Sequence, residues 1–165
     1  MIQETVKLYN QPYENGFMPT MTPFLCDNET RGAVIIFPGG GYTHYGNLEQ
    51  SLIAERFNEL GFHAFVVIYS VVPLHYPCQQ RDALRAVRMV RHDAEKYHVD
   101  PDKIAVCGFS AGRVNLKKSA LSPDPTQFSM VVSNAVLFLI DANSRVSSLL
   151  SINGYSACSA DALKT

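Results

Sequence analysis

A short motif near the middle of the chain requires a sharp turn between a strand and a helix. Residues 103–106 form an apolar run that predicts a buried strand, and Gly108, Ser110 and Gly112 then spell G-x-S-x-G. In that pattern the serine lies on a tight strand-to-helix turn, and the glycines stand where a Cβ would clash. The helix that follows points its free amides at the serine hydroxyl. We therefore predict Ser110 as a nucleophile; a surface Gly-Ser turn is the alternative.

Three consecutive glycines follow an earlier apolar run. Residues 33–37 are continuously apolar, as in a strand that is covered on both faces, and Gly39, Gly40 and Gly41 come after Pro38. Such a run lets the backbone approach a substrate oxygen with its amides free, as an oxyanion hole requires. A phosphate-binding loop is disfavoured, because no G-K-[ST] follows and the dinucleotide-binding spacing is absent. A flexible hinge is the structural alternative.

The rest of the first 112 residues alternates between predicted strands and predicted helices. Apolar runs and turn residues predict strands at residues 5–9, 21–26, 33–37, 62–69 and 103–106, and helices at 47–60 and 79–97. Pro23 is expected to place its strand at a sheet edge, and Asn47 to cap the first helix. The long helix is expected to bury one stripe: Leu84, Val87, Val90, Ala94 and Tyr97. This alternation predicts an α/β fold with a parallel sheet.

Composition narrows the class of protein further. The chain has 165 residues, 47% of them hydrophobic, which predicts a single domain over residues 1–165. A net charge of −1 disfavours nucleic acid and anionic membranes as partners, so the helix-face arginines Arg81, Arg85 and Arg88 are interpreted as solvated. No signal peptide, membrane-spanning run or C-x-x-C pair is recognisable, which predicts a cytoplasmic protein with reduced thiols and no bound metal.

Taken together, the motifs resemble the α/β-hydrolase fold, and more narrowly bacterial esterases of the acetyl esterase and acetylxylan esterase type. Ser70 departs from the arginine expected after the tyrosine at position 69. The resemblance covers roughly residues 5–112, whereas residues 113–165 form an atypical tail. The matching pieces are residues 37–42, Ala54, residues 57–58, 61–62, Tyr69, Pro73, Pro77, residues 82–88 and 100–112.

The resemblance implies a fold and a set of roles. The fold would be a three-layer α/β-hydrolase sandwich with a mostly parallel sheet, incomplete at its C-terminal end. Ser110 would be the nucleophile, and the backbone amides of Gly40, Gly41 and Ala111 would form the oxyanion hole. The implied reaction is acyl transfer to water through an acyl-enzyme, without metal or cofactor. The implied partner is a small-molecule ester, such as an acetyl ester of a sugar or xylo-oligosaccharide.

The remaining members of the expected triad are missing from their usual place. In this fold the order is serine, then Asp or Glu, then histidine, but all five histidines precede Ser110. His44 follows the glycines and is the nearest substitute base; Asp124, Asp141 and Asp161 compete as the acid. We expect a truncated or frame-slipped chain whose exposed sheet edge favours self-association. Two functions stay open: a serine esterase or related amidase, and a non-catalytic fragment or pseudo-enzyme.

Overall fold

The computed structural model describes residues 2–27, 30, 32–112, 136–140 and 146–151. Its strands are β1 (Val6–Lys7), β2 (Thr20–Phe24), β3 (Ala33–Phe37), β4 (His63–Ile68), β5 (Ile104–Phe109), β6 (Val136–Ile140) and β7 (Val146–Ser151). The helices are α1 (Ser51–Glu59), α2 (Cys78–His92) and α3 (Ala94–Tyr97). In this part of the chain, no helix is both long enough and apolar enough to cross a membrane.

The described strands form one seven-stranded sheet in the order β1-β2-β4-β3-β5-β6-β7. The central strands β4, β3, β5 and β6 are parallel, whereas β1–β2, β2–β4 and β6–β7 pair antiparallel. Ile35 of β3 lies opposite Phe65 of β4 on one side and Val106 of β5 on the other. The predicted α/β fold is confirmed, with its antiparallel pairs at the two flanks of the parallel centre.

Helices cover both faces of this sheet, because successive side chains of a strand point to opposite faces. Val34 and Ile36 of β3 are buried in one cluster with Ala54 of α1. Ile35 is buried in a second cluster with Val87 of α2. This arrangement is the three-layer sandwich that the resemblance implied. The predicted inner stripe of the long helix is buried in the second cluster: Leu84, Val87, Val90, Ala94 and Tyr97.

The helix ends differ in part from the sequence predictions. The Asn47 cap is wrong: residues 47–49 form a 3-10 turn, and α1 begins at Ser51 without a side-chain cap. The helix ends at Glu59, close to the predicted residue 60, and Gly61 follows it with a left-handed φ of 83°. The long helix is interrupted at Asp93, whose φ of −95° and ψ of 21° are not helical, although its amide still donates to the Met89 carbonyl at 2.9 Å.

The placement of Pro23 at a sheet edge is also wrong, since β2 lies between β1 and β4. The pairing of β1 reaches only Thr20 and Met21. Beyond it, the Pro23 carbonyl oxygen accepts a hydrogen bond from the Gln3 amide at 2.9 Å. Because the N and C=O of a strand residue point to the same side, the missing N–H faces the short β1 side. Pro23 therefore removes no donor from the backbone hydrogen bonds between β2 and β4.

Candidate active site

Ser110 follows directly after β5, which runs to Phe109 and is therefore longer than predicted. Ser110 has a left-handed φ of 45° and an exposed side chain, and residues 111 and 112 are helical and buried. This conformation costs an L-residue about 1–2 kcal/mol, so the surrounding structure must enforce it. We call residues 110–112 the serine turn.

Gly112 brings the serine turn against the end of β3. A Cβ on Gly112 would lie 2.2 Å from the Phe37 carbonyl oxygen and 3.0 Å from that of Pro38. Phe37 is also the register partner of Gly108. Glycine is thus required at position 112, because the backbone there lies directly against the backbone of residues 37 and 38. The same contact places the serine turn beside the segment that leads into Gly39.

Residues 39–46, the glycine loop, fold back on themselves. The Gly39 carbonyl accepts a hydrogen bond from the Gly46 amide at 2.9 Å, and the Gly40 carbonyl accepts one from the His44 amide at 3.2 Å. Gly40 has a φ of 136°, and a Cβ there would lie 2.0 Å from the His44 carbonyl oxygen. Glycine is therefore required at position 40 on both conformational and steric grounds.

The two predicted oxyanion-hole glycines present free amides. Gly41 is exposed and has a left-handed φ of 61°. Within the described residues, neither Gly40 nor Gly41 donates its backbone N–H to a protein acceptor. Ala111 is the first residue of its helix, where an N–H has no intrahelical partner. These amides follow the ends of the neighbouring parallel strands β3 and β5, so the structure brings Gly40, Gly41 and Ala111 to the same edge of the sheet as Ser110.

Hydrogen bonds connect the glycine loop to residues 70–77, the proline loop, and to the end of β4. The buried Tyr69 hydroxyl donates to the Pro38 carbonyl oxygen at 2.6 Å. The Val72 amide donates to the Tyr42 carbonyl at 2.8 Å, and the Tyr45 hydroxyl donates to the Tyr69 carbonyl. Burial, followed by the negative charge of Asp82, raises the pKa of Tyr45. Tyr45 therefore stays a neutral donor at ordinary pH.

A buried carboxylate lies below the proline loop. Asp82 of α2 accepts hydrogen bonds from the Ser70 amide at 2.8 Å, from the Ser70 hydroxyl, and from the Tyr13 hydroxyl at 2.7 Å. Burial raises the pKa of Asp82, and the three donors oppose that shift. Burial also raises the pKa of Tyr13 to about 12. Ser70, where an arginine was expected, thus contributes neutral donors in place of a positive charge.

A pocket of about 330 Å³ opens beside Gly41. It lies between the glycine loop and the proline loop, and sequence reasoning missed it. The usable signal was that the Pro73–Pro77 stretch follows a parallel strand and so lies at the same edge of the sheet as the glycines. The lining residues are Gly41, Tyr42, Val72, Leu74, His75, Tyr76 and Gln79.

A family model described as BD-FAE matches residues 24–150, which is well over half of the chain. The chain belongs to the BD-FAE family. It is 37% identical over 110 residues to endo-1,4-beta-xylanase B of Butyrivibrio fibrisolvens, covering 63% of this chain and 17% of that protein. It is 28% identical over 113 residues to an acetylxylan esterase of Xylanibacter ruminicola, covering 68% of this chain and 24% of that protein.

Solved structures of hydrolases superpose on the chain. An acetyl ester-xyloside bifunctional hydrolase from Caldicellulosiruptor lactoaceticus superposes with a TM-score of 0.65 at 32% identity. The match covers 75% of this chain and 52% of that structure. The fold is an α/β hydrolase. The chain thus spans about half the length of this structure and a quarter or less of the two curated relatives.

Among the described residues of this BD-FAE chain, no side chain is in place as the general base for Ser110. His44 is exposed, and its Nδ1 lies 3.0 Å from the Thr43 hydroxyl. In the described residues no histidine forms a hydrogen bond with Ser110, and no group of three or more His, Cys, Asp and Glu could hold a metal. Asp124, Asp141 and Asp161, the competing predictions for the acid, lie outside the described residues.

Proposed function

We propose that this protein is a serine carboxylic-ester hydrolase that works through an acyl-enzyme on Ser110. The observation that carries the proposal is the exposed Ser110 in a left-handed turn, beside a glycine loop in which the amides of Gly40 and Gly41 have no protein acceptor among the described residues. A strained, exposed serine next to free backbone donors is the arrangement that acyl transfer needs.

In the proposed reaction the Ser110 oxygen attacks the ester carbonyl carbon, and its proton passes to a general base. The carbonyl oxygen becomes an oxyanion, which accepts hydrogen bonds from the amides of Gly40, Gly41 and Ala111. When the tetrahedral intermediate collapses, the C–O bond to the alcohol breaks and the alcohol leaves with the proton. Water then attacks the acyl-serine and releases the acid.

The proposed substrates are small acyl esters, above all acetyl esters of sugars or xylo-oligosaccharides. Relatives named acetylxylan esterase and acetyl ester-xyloside bifunctional hydrolase support this choice. No cofactor is needed for the chemistry.

The test compares p-nitrophenyl acetate hydrolysis by three proteins at equal folded concentration. The first is the chain itself. The second joins residues 1–112 to the C-terminal segment of a BD-FAE relative that carries an acid and a histidine, and the third is that fusion with Ser110→Ala. We expect turnover to rise by orders of magnitude in the fusion and to be lost in the Ser110→Ala fusion. A folded fusion that is no faster than the chain would overturn the proposal.

A non-catalytic role is the second candidate, because all five histidines precede Ser110. Loss of one triad member can reduce turnover about a millionfold, with about a thousandfold acceleration over water remaining from the oxyanion hole and binding. On this reading the 165-residue chain is only faintly active, and Ser110→Ala changes the faint rate little. Full turnover by the chain that Ser110→Ala abolishes would exclude the non-catalytic role, and His44→Ala would then show whether His44 is the base.

A further inference from the structure

A second pocket, of about 370 Å³, lies between the loop after β1 and the first turn of α2. It shares no lining residue with the glycine loop, the serine turn or the pocket beside Gly41. An apolar cavity of about 150 Å³ binds benzene, so this second pocket has room for a substituted ring. We call it the tyrosine pocket, and its lining residues are Tyr9, Asn10, Gln11, Pro12, Tyr13 and Arg81.

Two tyrosine rings form an apolar corner of the tyrosine pocket. The ring centroids of Tyr9 and Tyr13 are 5.9 Å apart, and the ring planes meet at 67°. The Tyr13 hydroxyl donates to the buried Asp82 carboxylate at 2.7 Å. Burial, followed by the negative charge of Asp82, raises the pKa of Tyr9, and hydrogen bonds with Tyr13 and Asp82 act in the same direction. Both rings are therefore neutral, and because their hydroxyls are engaged with Asp82, they present mainly carbon to a ligand.

Arg81 adds a positive charge to the wall of the tyrosine pocket. Interpreted from the sequence as solvated, it is exposed, and its guanidinium has no hydrogen bond or ion pair with another described residue. The neighbouring acids Asp82 and Glu14 do not line the pocket. A guanidinium matches a carboxylate through two parallel hydrogen bonds, which give geometric specificity as well as charge attraction. The pocket therefore favours a ligand with a flat apolar body and a carboxylate at one end.

Hydrogen bonds hold the loop that carries the two tyrosines. The Leu8 amide donates to the Pro19 carbonyl at 2.9 Å. The Leu8 carbonyl accepts a hydrogen bond from Nε of Arg85 on α2 at 2.8 Å. At the other end of the lining segment, the Tyr13 amide donates to the Phe17 carbonyl at 2.9 Å. The tyrosine pocket is thus formed before a ligand binds, so little conformational entropy is lost on binding.

We propose that the tyrosine pocket is a binding site for an aromatic carboxylate. The carboxylate pairs with the Arg81 guanidinium, and the aromatic ring packs into the corner formed by Tyr9 and Tyr13. A neutral ring would leave the guanidinium unpaired, and a small anion without a ring would leave the apolar corner to water, so both parts of the ligand are needed. The site does not depend on Ser110 or on ester hydrolysis.

A comparison of three small ligands tests the site without requiring turnover. The ¹⁵N-labelled chain is titrated in neutral buffer of constant ionic strength with benzoate, with benzamide, which has the ring but no charge, and with acetate, which has the charge but no ring. We expect benzoate to bind with a Kd of about 1 mM, at least tenfold more tightly than the other two. It should shift the amide signals of Tyr9, Gln11 and Arg81, and added salt should weaken it.

Arginine variants separate the proposed ion pair from general attraction to a basic helix. Arg81→Gln should weaken benzoate binding at least fivefold and leave benzamide unchanged, and Arg81→Lys should restore only part of the loss. Arg88→Gln is the matched control, because Arg88 is exposed on the same helix and does not line the pocket; it should leave the affinity unchanged. Both arginines are exposed, so these changes leave the fold intact, and unchanged amide spectra outside the pocket verify this.

Equal binding of benzoate and acetate, equal binding of benzoate and benzamide, or benzoate binding that Arg81→Gln leaves unchanged would overturn the inference. Shifts confined to the glycine loop would place benzoate in the proposed active site and would overturn it too. Ser110→Ala should bind benzoate as tightly as the unmodified chain. A chain that binds benzoate in the tyrosine pocket, but whose fusion fails to hydrolyse esters, would refute the proposed function and leave this site standing.

Discussion

At the scale of single residues, the glycines and Ser110 could be read from the sequence, whereas their supports could not. G-x-S-x-G and the triple glycine are recognisable as local patterns in the sequence. The contacts that require two of these glycines appear only in the structure, where Gly112 lies against the Phe37 carbonyl and Gly40 against that of His44. The contact of Tyr69 with Pro38 joins residues 31 positions apart, and that of Tyr13 with Asp82 spans 69. Such pairs leave no periodic pattern in the sequence, because the two residues become neighbours only when the chain folds.

Removal of the Tyr69 hydroxyl should loosen the glycine loop. In Tyr69→Phe the buried Pro38 carbonyl loses its donor, which costs about 1–3 kcal/mol of unfolding free energy. Amide hydrogen exchange over residues 39–46 should rise in the same variant. The control Tyr76→Phe removes an exposed hydroxyl and should change neither quantity. Urea unfolding and exchange that match the unmodified chain would show that the Tyr69 bond does not hold the loop.

At the scale of helices and strands, sequence patterns predicted most elements but not all of their boundaries. Periodicity located α1, α2 and the strands β3, β4 and β5, because apolar stripes and runs are needed to cover the two faces of the sheet. It missed the break at Asp93 and the start of α1 at Ser51, where the backbone angles of Asp93 and Gln50 are not helical. The edge position predicted for Pro23 was wrong because a proline lacks the N–H on only one side of its strand. Here that side faces the short β1.

Because the serine turn lies against β3, one methyl group added at Gly112 should strongly reduce the free energy of unfolding. Gly112→Ala would place a Cβ 2.2 Å from a backbone oxygen, which cannot move without distorting β3, and should cost about 3 kcal/mol. Gly16→Ala is the control, since a Cβ there has open space and only a left-handed φ of 81° to strain it, at about 1 kcal/mol. Urea denaturation measures both; equal losses would mean that the turn does not pack against β3 as described.

His63, at the start of β4, should make the free energy of unfolding depend on pH. Its Nδ1 accepts the Cys26 amide at 3.0 Å, and burial, followed by the charge of His98, lowers its pKa below the ordinary 6.5. The unfolded chain therefore binds more protons, so the free energy of unfolding should fall as the pH drops below 6.5. His63→Gln should remove that slope in urea titrations across pH, and exposed His75→Gln should retain it. A slope that survives His63→Gln would refute this assignment.

At the scale of the whole molecule, the α/β-hydrolase sandwich and its parallel centre could be predicted from the order of strands and helices. The antiparallel flanks could not, because nothing in β1 or β7 alone specifies the direction of its partner. Within the described part of the chain, β7 is the outermost strand beyond β6. A strand edge without a partner recruits other chains.

We therefore expect the chain to self-associate through β7 and to be marginally stable. Sedimentation velocity should show a concentration-dependent increase in mass, which Ser148→Lys on β7 reduces, because a charge on an edge strand opposes further pairing. Ser51→Lys makes the same change at the exposed first residue of α1 and should have no such effect. A monomer at all concentrations with a melting transition above about 60 °C would contradict this expectation.

The central claim, that Ser110 is a nucleophile beside an oxyanion site, is tested most directly by covalent labelling. An alkyl fluorophosphonate forms a bond from the serine oxygen to phosphorus as fluoride leaves, and the adduct accumulates even where proton removal is slow. Intact-mass and peptide mass spectrometry should find one adduct per chain, on Ser110, absent in Ser110→Ala and in the heat-denatured chain. No adduct on the folded chain, or label spread over several serines regardless of folding, would contradict the account.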